Sequence, residues 1–282
     1  MSAAGTISLG DLEVSRLGFG AMRITGEGIW GPPAAPDGAI AVLRRAVELG
    51  VDFIDTAAAY GPDVSEELIA AALAPYDGVL VATKAGLTRS GPGAWSPDGR
   101  PEHIRAALEA SLARLKVDQI DLYQFHRPDP AVPFAESVGA FAEAQQAGKV
   151  RHIGLSNVSV SQLEEALGIC EIVSVQNRYS AADRDSQDVL DACTARGIAF
   201  IPWWPLAAGS LATGDGALAR VGRAHDASAG QVALAWLLAA SPMMLPIPGT
   251  SNLAHLEENL AAAELVLSVQ ELEELNRAAR EA

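Results

Sequence analysis

Four side chains in this sequence stand where chemistry could be done. Asp55 closes the stretch Val51-Asp-Phe-Ile, Lys84 follows Val79-Leu-Val-Ala-Thr, His126 follows Leu122-Tyr-Gln-Phe, and Tyr60 lies on the loop just beyond Asp55. Taken singly, each has an ordinary explanation: a snorkelling lysine, a satisfied core histidine, a packing tyrosine. The lysine explanation is the weakest, because the chain holds only Lys84, Lys116 and Lys149 and sets one of them directly after an apolar run. A lysine drawn inside needs a carboxylate partner, and Asp55 is the natural one. Polar residues at three successive strand ends point jointly to one pocket.

The chemistry that suits such a set is reduction of a carbonyl group. A tyrosine hydroxyl titrates at about 10 when unperturbed, which makes it a poor proton donor at neutral pH. A neighbouring ammonium favours the phenolate and is expected to lower that value, while an adjacent carboxylate holds the ammonium in place. A nearby imidazole can orient or polarise the carbonyl oxygen. No side chain of the set can give a hydride, so a cofactor is required.

The elements that must position these residues alternate along the chain. Thr6-Ile-Ser-Leu and Leu12-Glu-Val-Ser flank Gly10-Asp11 and read as a short hairpin. Leu17–Met22 reads as a small buried strand. Further apolar runs start at Asp52, Val79, Ile120, His152, Ile172, Ile198 and Met244, each ahead of a helical stretch; the one after Ile198 extends through Ala239. Pro101 suits a first helical turn, whereas Pro246 departs from strand propensity. Eight strand–helix units at this length predict a (β/α)8 barrel with a short N-terminal β-hairpin, as a single domain over residues 1–282. In that fold the strand C-termini carry the active site. The loops Thr25–Pro36, with Trp30, and Leu87–Pro101, with Trp95, exceed ordinary connections and read as functional covers.

Composition narrows the rest. Across 282 residues, 35 Asp+Glu oppose 20 Lys+Arg, a net charge of -15. That balance argues against binding to nucleic acid or anionic membranes. Cys170 and Cys193 can form at most one bridge, so a disulfide scaffold is excluded. With no basic-then-apolar leader and no apolar run of about 18 residues, a cytoplasmic location is expected. The five histidines form no close-spaced ligand set, and no metal is expected. Gly18-Phe-Gly-Ala-Met-Arg lacks the third glycine of a dinucleotide fingerprint.

Gly50-Val-Asp-Phe-Ile-Asp-Thr-Ala-Ala-Ala-Tyr-Gly resembles the first signature of the aldo-keto reductase family. Val81-Ala-Thr-Lys-Ala-Gly, Asp121-Leu-Tyr-Gln-Phe-His, Gly154-Leu-Ser-Asn, Val175-Gln-Asn and Ile247-Pro-Gly-Thr-Ser-Asn resemble further motifs of it, in the family's order. The resemblance implies NAD(P)H-dependent reduction of an aldehyde or ketone. Tyr60 would be the general acid, Lys84 its tuner, Asp55 the partner of Lys84, and His126 the group orienting the carbonyl. Ser156, Asn157 and Gln176 match positions that hold the nicotinamide carboxamide, and Trp203 matches the aromatic that stacks on the nicotinamide, where Tyr is usual. Gly20, Met22, Asp55, Trp204, Pro205 and Leu206 match other cofactor-lining positions. Gly249, Thr250, His255, Glu258 and Asn259 match the adenosine and 2′-phosphate end. Relatives often carry Lys or Arg at the positions of Gly249 and His255; their absence weakens the case for strict NADP(H) use and leaves NAD(H) as an alternative. The resemblance also suggests a monomer. Two other readings compete: a Schiff-base aldolase using Lys84, and a cofactor-binding accessory or redox-sensing subunit.

Overall fold

In the computed structural model, which describes residues 4–206 and 216–281, a curled parallel sheet is ringed by helices. Two antiparallel strands, β1 (Thr6–Leu9) and β2 (Leu12–Ser15), come first and pair Ile7 with Val14. The parallel strands are β3 (Phe19–Gly20), β4 (Phe53–Asp55), β5 (Leu80–Ala85), β8 (Ile120–Phe125), β9 (Val150–Ser156), β10 (Ser174–Gln176) and β11 (Ala199–Phe200). They lie in the order β11-β10-β9-β8-β5-β4-β3. A further antiparallel hairpin, β6 (Leu87–Gly91) and β7 (Ala94–Pro97), stands in the connection after β5. The connection expected from the sequence to be a long covering loop is thus built in part as a hairpin, which the sequence reading does not contain.

Residues 244–248 close the sheet. Leu245 N–H donates to Phe200 O on one side, and Gly18 and Gly20 N–H donate to Pro246 O and Pro248 O on the other. Toward β3 the segment supplies only carbonyl acceptors, so two prolines on that side cost no donor. This explains how Met244-Leu-Pro-Ile completes a (β/α)8 barrel despite its poor strand propensity.

The helices follow local signals. In α3 (Pro101–Leu115) and α1 (Pro36–Glu48) a proline occupies the first turn, where its missing N–H has no intrahelical partner. Ser159 and Ser228 form capping boxes with Gln162 and Gln231, starting α5 (Val160–Leu167) and α8 (Ala229–Ala240). Tyr123 and Phe125 of β8 pack outward with Phe141 of α4 (Phe134–Gln146). Other helices are α2 (Val64–Leu73), α6 (Gln187–Arg196), α7 (Ala217–Ala224), α9 (Leu253–Ala261) and α10 (Val269–Glu281). Of the helical material read between Ile198 and Ala239, α7 and α8 are described, and residues 207–215 lie outside the described residues. No helix among the described residues is long and apolar enough to cross a membrane.

Strand alternation sorts the barrel interior into two zones. Phe53, Leu80, Ala82, Leu122, Ala199, Ile201, Leu245 and Ile247 form an apolar layer with Ile7, Leu9 and Val14 of the hairpin. Two residues further along β4, β5 and β8 come Asp55, Lys84 and Gln124, all buried. The hairpin plugs the apolar end, which leaves the strand C-termini as the place for a site.

Candidate active site

Asp55 sits at the centre of the polar zone. Its Oδ1 accepts from Lys84 Nζ at 2.6 Å, and its Oδ2 accepts from Gln124 Nε2 at 2.9 Å and Gln176 Nε2 at 2.8 Å. Lys84 Nζ also donates to Thr56 O at 2.7 Å. Both charges are almost fully buried, with side-chain exposures of 0% and 2%. Burial alone would push the Lys84 ammonium toward neutrality, but the Asp55 carboxylate and the Tyr60 phenol outweigh it and raise its pKa. The lysine therefore keeps its charge.

The barrel gives these side chains no spare room. A Cβ on Gly154 of β9 would lie 2.4 Å from Ser174 Oγ and 2.9 Å from Gln124 Cγ. A side chain at position 154 would crowd the stem of Gln124 where it reaches across the interior to Asp55. Gln124 lies within the motif Asp121-Leu-Tyr-Gln-Phe-His, outside the four side chains that the sequence points to. Its signal was the period-two set Leu122, Gln124, His126, which places all three on one face.

Tyr60 reaches the site from the loop between β4 and α2. That loop is anchored by Thr56 N–H to Ala82 O and Ala58 N–H to Lys84 O, and Thr56 Oγ1 is 2.7 Å from Ser65 Oγ of α2. Lys84 Nζ lies 5.1 Å from the Tyr60 ring centroid. The ring packs edge-on against His126, with centroids 5.8 Å apart, and against Trp95, at 6.4 Å. Asp55, Tyr60, Lys84 and His126 are thus brought together as the sequence anticipated. One electrostatic expectation is corrected. Burial raises the Tyr60 pKa; the Lys84 charge works against it but is partly countered by Asp55, and the net direction is upward. At neutral pH the hydroxyl is held in its proton-bearing form.

His126 shifts the other way. Burial, then the charges of Lys84 and Arg127, hold its pKa well below the ordinary imidazole value. The neutral ring carries one N–H. Its Nδ1 is buried with no hydrogen-bond partner, a situation a bare acceptor tolerates better than an N–H, so we assign the proton to Nε2.

The cofactor positions inferred from the motifs fall around this centre. Asn157, in a left-handed conformation with φ 59°, donates from Nδ2 to His126 O at 3.0 Å and to Ser156 Oγ at 2.9 Å. Its Oδ1 accepts from Trp203 Nε1 at 3.1 Å. The Trp203 indole is thereby fixed and only partly buried, and Trp204 stacks beside it at 6.0 Å. Pro205 is buried and Leu206 half-buried after it. Gln176 donates from its amide nitrogen to Asp55 Oδ2 and Gln124 Oε1. Gly20 and Gly249 face one another so closely that a Cβ on Gly249 would meet Gly20 O at 2.4 Å. Met22 is half-buried in the short turn of 3-10 helix that follows Gly20. At the start of α9, Thr250 Oγ1 accepts from Asn252 N–H, and Asn252 Oδ1 accepts from Ala254 and His255 N–H. Two N–H groups at the start of α9 are thus already taken by the Asn252 side chain. His255 is exposed, Glu258 half-buried and Asn259 buried.

The groups at the nicotinamide end fit a dinucleotide: a pinned flat indole at Trp203, the Ser156 hydroxyl and the Gln176 amide at adjoining strand ends. The adenosine end fits less fully, because it presents no cation at Gly249 or His255.

Comparison with known proteins agrees with this geometry. The family model described as Aldo/keto reductase family matches residues 16–280. The chain is 49% identical over 267 residues to an uncharacterized oxidoreductase of Schizosaccharomyces pombe, covering 95% of this chain and 87% of that protein. It is 42% identical over 287 residues to pyridoxine 4-dehydrogenase of Escherichia coli, covering 99% of this chain and 100% of that one. An aldo/keto reductase from Klebsiella pneumoniae, crystallised in complex with NADP and acetate, superposes with a TM-score of 0.83 at 28% identity, covering 96% of this chain and 94% of that one. A barrel open at its strand C-termini, a buried Lys84–Asp55 pair beside Tyr60 and His126, and these matches together show that the chain belongs to the aldo/keto reductase family and is an oxidoreductase of carbonyl compounds.

Proposed function

We propose that this chain reduces aromatic aldehydes, with NADPH as its preferred reductant, NADH accepted more weakly, and Tyr60 as general acid. The observation that carries the substrate class is the pair of indoles over the site. Trp95 packs on Tyr60 itself, and Trp30 stands beside it across the Arg89 guanidinium. Aromatic walls favour a flat, polarisable substrate. That an Escherichia coli relative matched along its whole length is a pyridoxine 4-dehydrogenase supports the same class, with pyridoxal as a specific candidate.

When bound, a reduced nicotinamide supplies the hydride that the side chains lack. Tyr60 gives its proton to the carbonyl oxygen. Lys84, held charged by Asp55, stabilises the phenolate left behind, and the His126 Nε2–H orients the same oxygen. NADPH preference is supported by relatives crystallised with NADP and NADPH. With no cation at Gly249 or His255, we expect the margin over NADH to be modest. The enzyme is expected to act in the cytoplasm on small molecules, as a monomer.

Initial rates with para-nitrobenzaldehyde, pyridoxal and propanal test the substrate class. The aromatic aldehydes should exceed propanal in kcat/KM by about tenfold or more, the scale of a well-placed aromatic contact. Equal values would remove the aromatic reading. The pH profile tests the roles. Tyr60 must be protonated and its pKa is raised, so rate is lost only as pH rises beyond about 10. His126 must be neutral and its pKa is lowered, so rate is lost only well below pH of about 6.5. A steep change of kcat/KM between those limits would contradict the assignment.

A further inference from the structure

Arg89 of β6 lies in the cover rather than in the barrel, and its guanidinium joins three separate segments. Its Nη1 donates to Ile29 O at 2.8 Å and Ala59 O at 3.2 Å; its Nη2 donates to Gly28 O at 3.0 Å and Gly91 O at 3.3 Å; its Nε donates to Ala94 O at 3.2 Å. All five N–H groups of the fork therefore end on backbone carbonyls. Two acceptors precede Trp30, one precedes Tyr60, and the last two lie in the turn before Trp95. The same group lies 3.5 Å from the Trp95 ring centroid and 5.6 Å from that of Trp30. No carboxylate pairs with it among the described residues. The Thr25–Pro36 cover also meets the Tyr60 loop directly, through Gly31 N–H to Gly61 O.

Such a group is poorly explained as a surface charge. A planar fork that uses every donor on carbonyls from three loops fixes their spacing, and a lysine, with three donors on a point charge, cannot replace it. Cation–π contact to both indoles fixes their faces as well. We propose that Arg89 is a positioning residue that sets substrate specificity, holding Trp30 and Trp95 as the walls of the pocket and the backbone before Tyr60 in register with them. The proposal rests on the aromatic-aldehyde reading above. The guanidinium itself neither donates a proton nor touches the reacting carbonyl.

The test compares wild type, Arg89→Lys and Arg89→Ala on para-nitrobenzaldehyde and propanal. NADPH affinity is read by fluorescence titration, folding by circular dichroism, and each assay is repeated with a few tens of millimolar guanidinium. Both variants should lose about tenfold or more in kcat/KM on the aromatic aldehyde, mostly through KM, and only a few-fold on propanal. NADPH affinity should stay unchanged. Added guanidinium should restore part of the loss in Arg89→Ala and nothing in wild type. Equal losses on both aldehydes without guanidinium rescue, weakened NADPH binding, or no loss on either aldehyde, would each overturn the proposal. If wild type shows no aromatic preference, the substrate reading fails by itself; Arg89 is then judged on the KM rise and guanidinium rescue with the better aldehyde.

Discussion

Tyr60→Phe removes carbonyl reduction while the protein stays folded and still binds cofactor. The expected loss in kcat is about a hundred- to ten-thousandfold, the range for removing a general acid, with NADPH affinity within about twofold, since additive noise of that size carries no meaning. The fold should hold because phenylalanine keeps the ring contacts with His126 and Trp95. The lost atom is the hydroxyl whose proton burial retains. Steady-state kinetics beside a fluorescence titration of NADPH checks both halves. Turnover within a few-fold of wild type would remove Tyr60 from the proton-donor role. Loss of cofactor affinity together with turnover would assign it a different one.

Lys84→Met is expected to be the more damaging substitution, because it strikes stability and chemistry together. Methionine matches the volume of the lysine stem, but the Asp55 carboxylate is left with only amide donors from Gln124 and Gln176, and Thr56 O loses its donor. Breaking a buried pair by removing one partner costs about 3–5 kcal/mol. Urea unfolding should show that loss, and turnover should fall to the level of Tyr60→Phe or lower. Adding Asp55→Asn removes the stranded charge. The double variant should regain most of the stability and none of the activity. Recovery of turnover in the double variant would show that the ammonium has no part in the chemistry.

The residues at strand ends were legible because a parallel barrel turns position in the chain into position in space. An apolar run followed by a polar residue puts that residue at the open end of the barrel, and Asp55, Lys84 and His126 all obey this. Gln124 obeys it too, but a glutamine inside a strand looks like a packing residue until the partner facing it is known. The closing segment at Met244 was read through the general rule that proline opposes strands. The rule weakens here because the ladder toward β3 asks only for carbonyls. The upward shift of Tyr60 follows from burial, which outweighs a nearby ammonium whose effect Asp55 partly counters. Arg89 had no signal at all. Five carbonyl acceptors from three loops leave no mark on side-chain identity, since any residue supplies a carbonyl.

The net charge of -15 adds one constraint on cofactor binding. An anionic dinucleotide gains nothing from long-range steering toward such a surface, so its affinity is expected to come from local contacts, with the Ser156 hydroxyl and the Trp203 ring face as candidates.

The central claim is that Asp55, Tyr60, Lys84 and His126 form a working carbonyl-reducing site. A single-turnover experiment tests it most directly: wild-type enzyme preloaded with NADPH is mixed with excess para-nitrobenzaldehyde, and reduced-nicotinamide absorbance is followed. The account predicts oxidation of the bound cofactor in the wild type and at least a hundredfold slower oxidation in Tyr60→Phe, about the lower bound for losing a general acid. Folded wild-type enzyme that binds NADPH or NADH yet oxidises neither would contradict it.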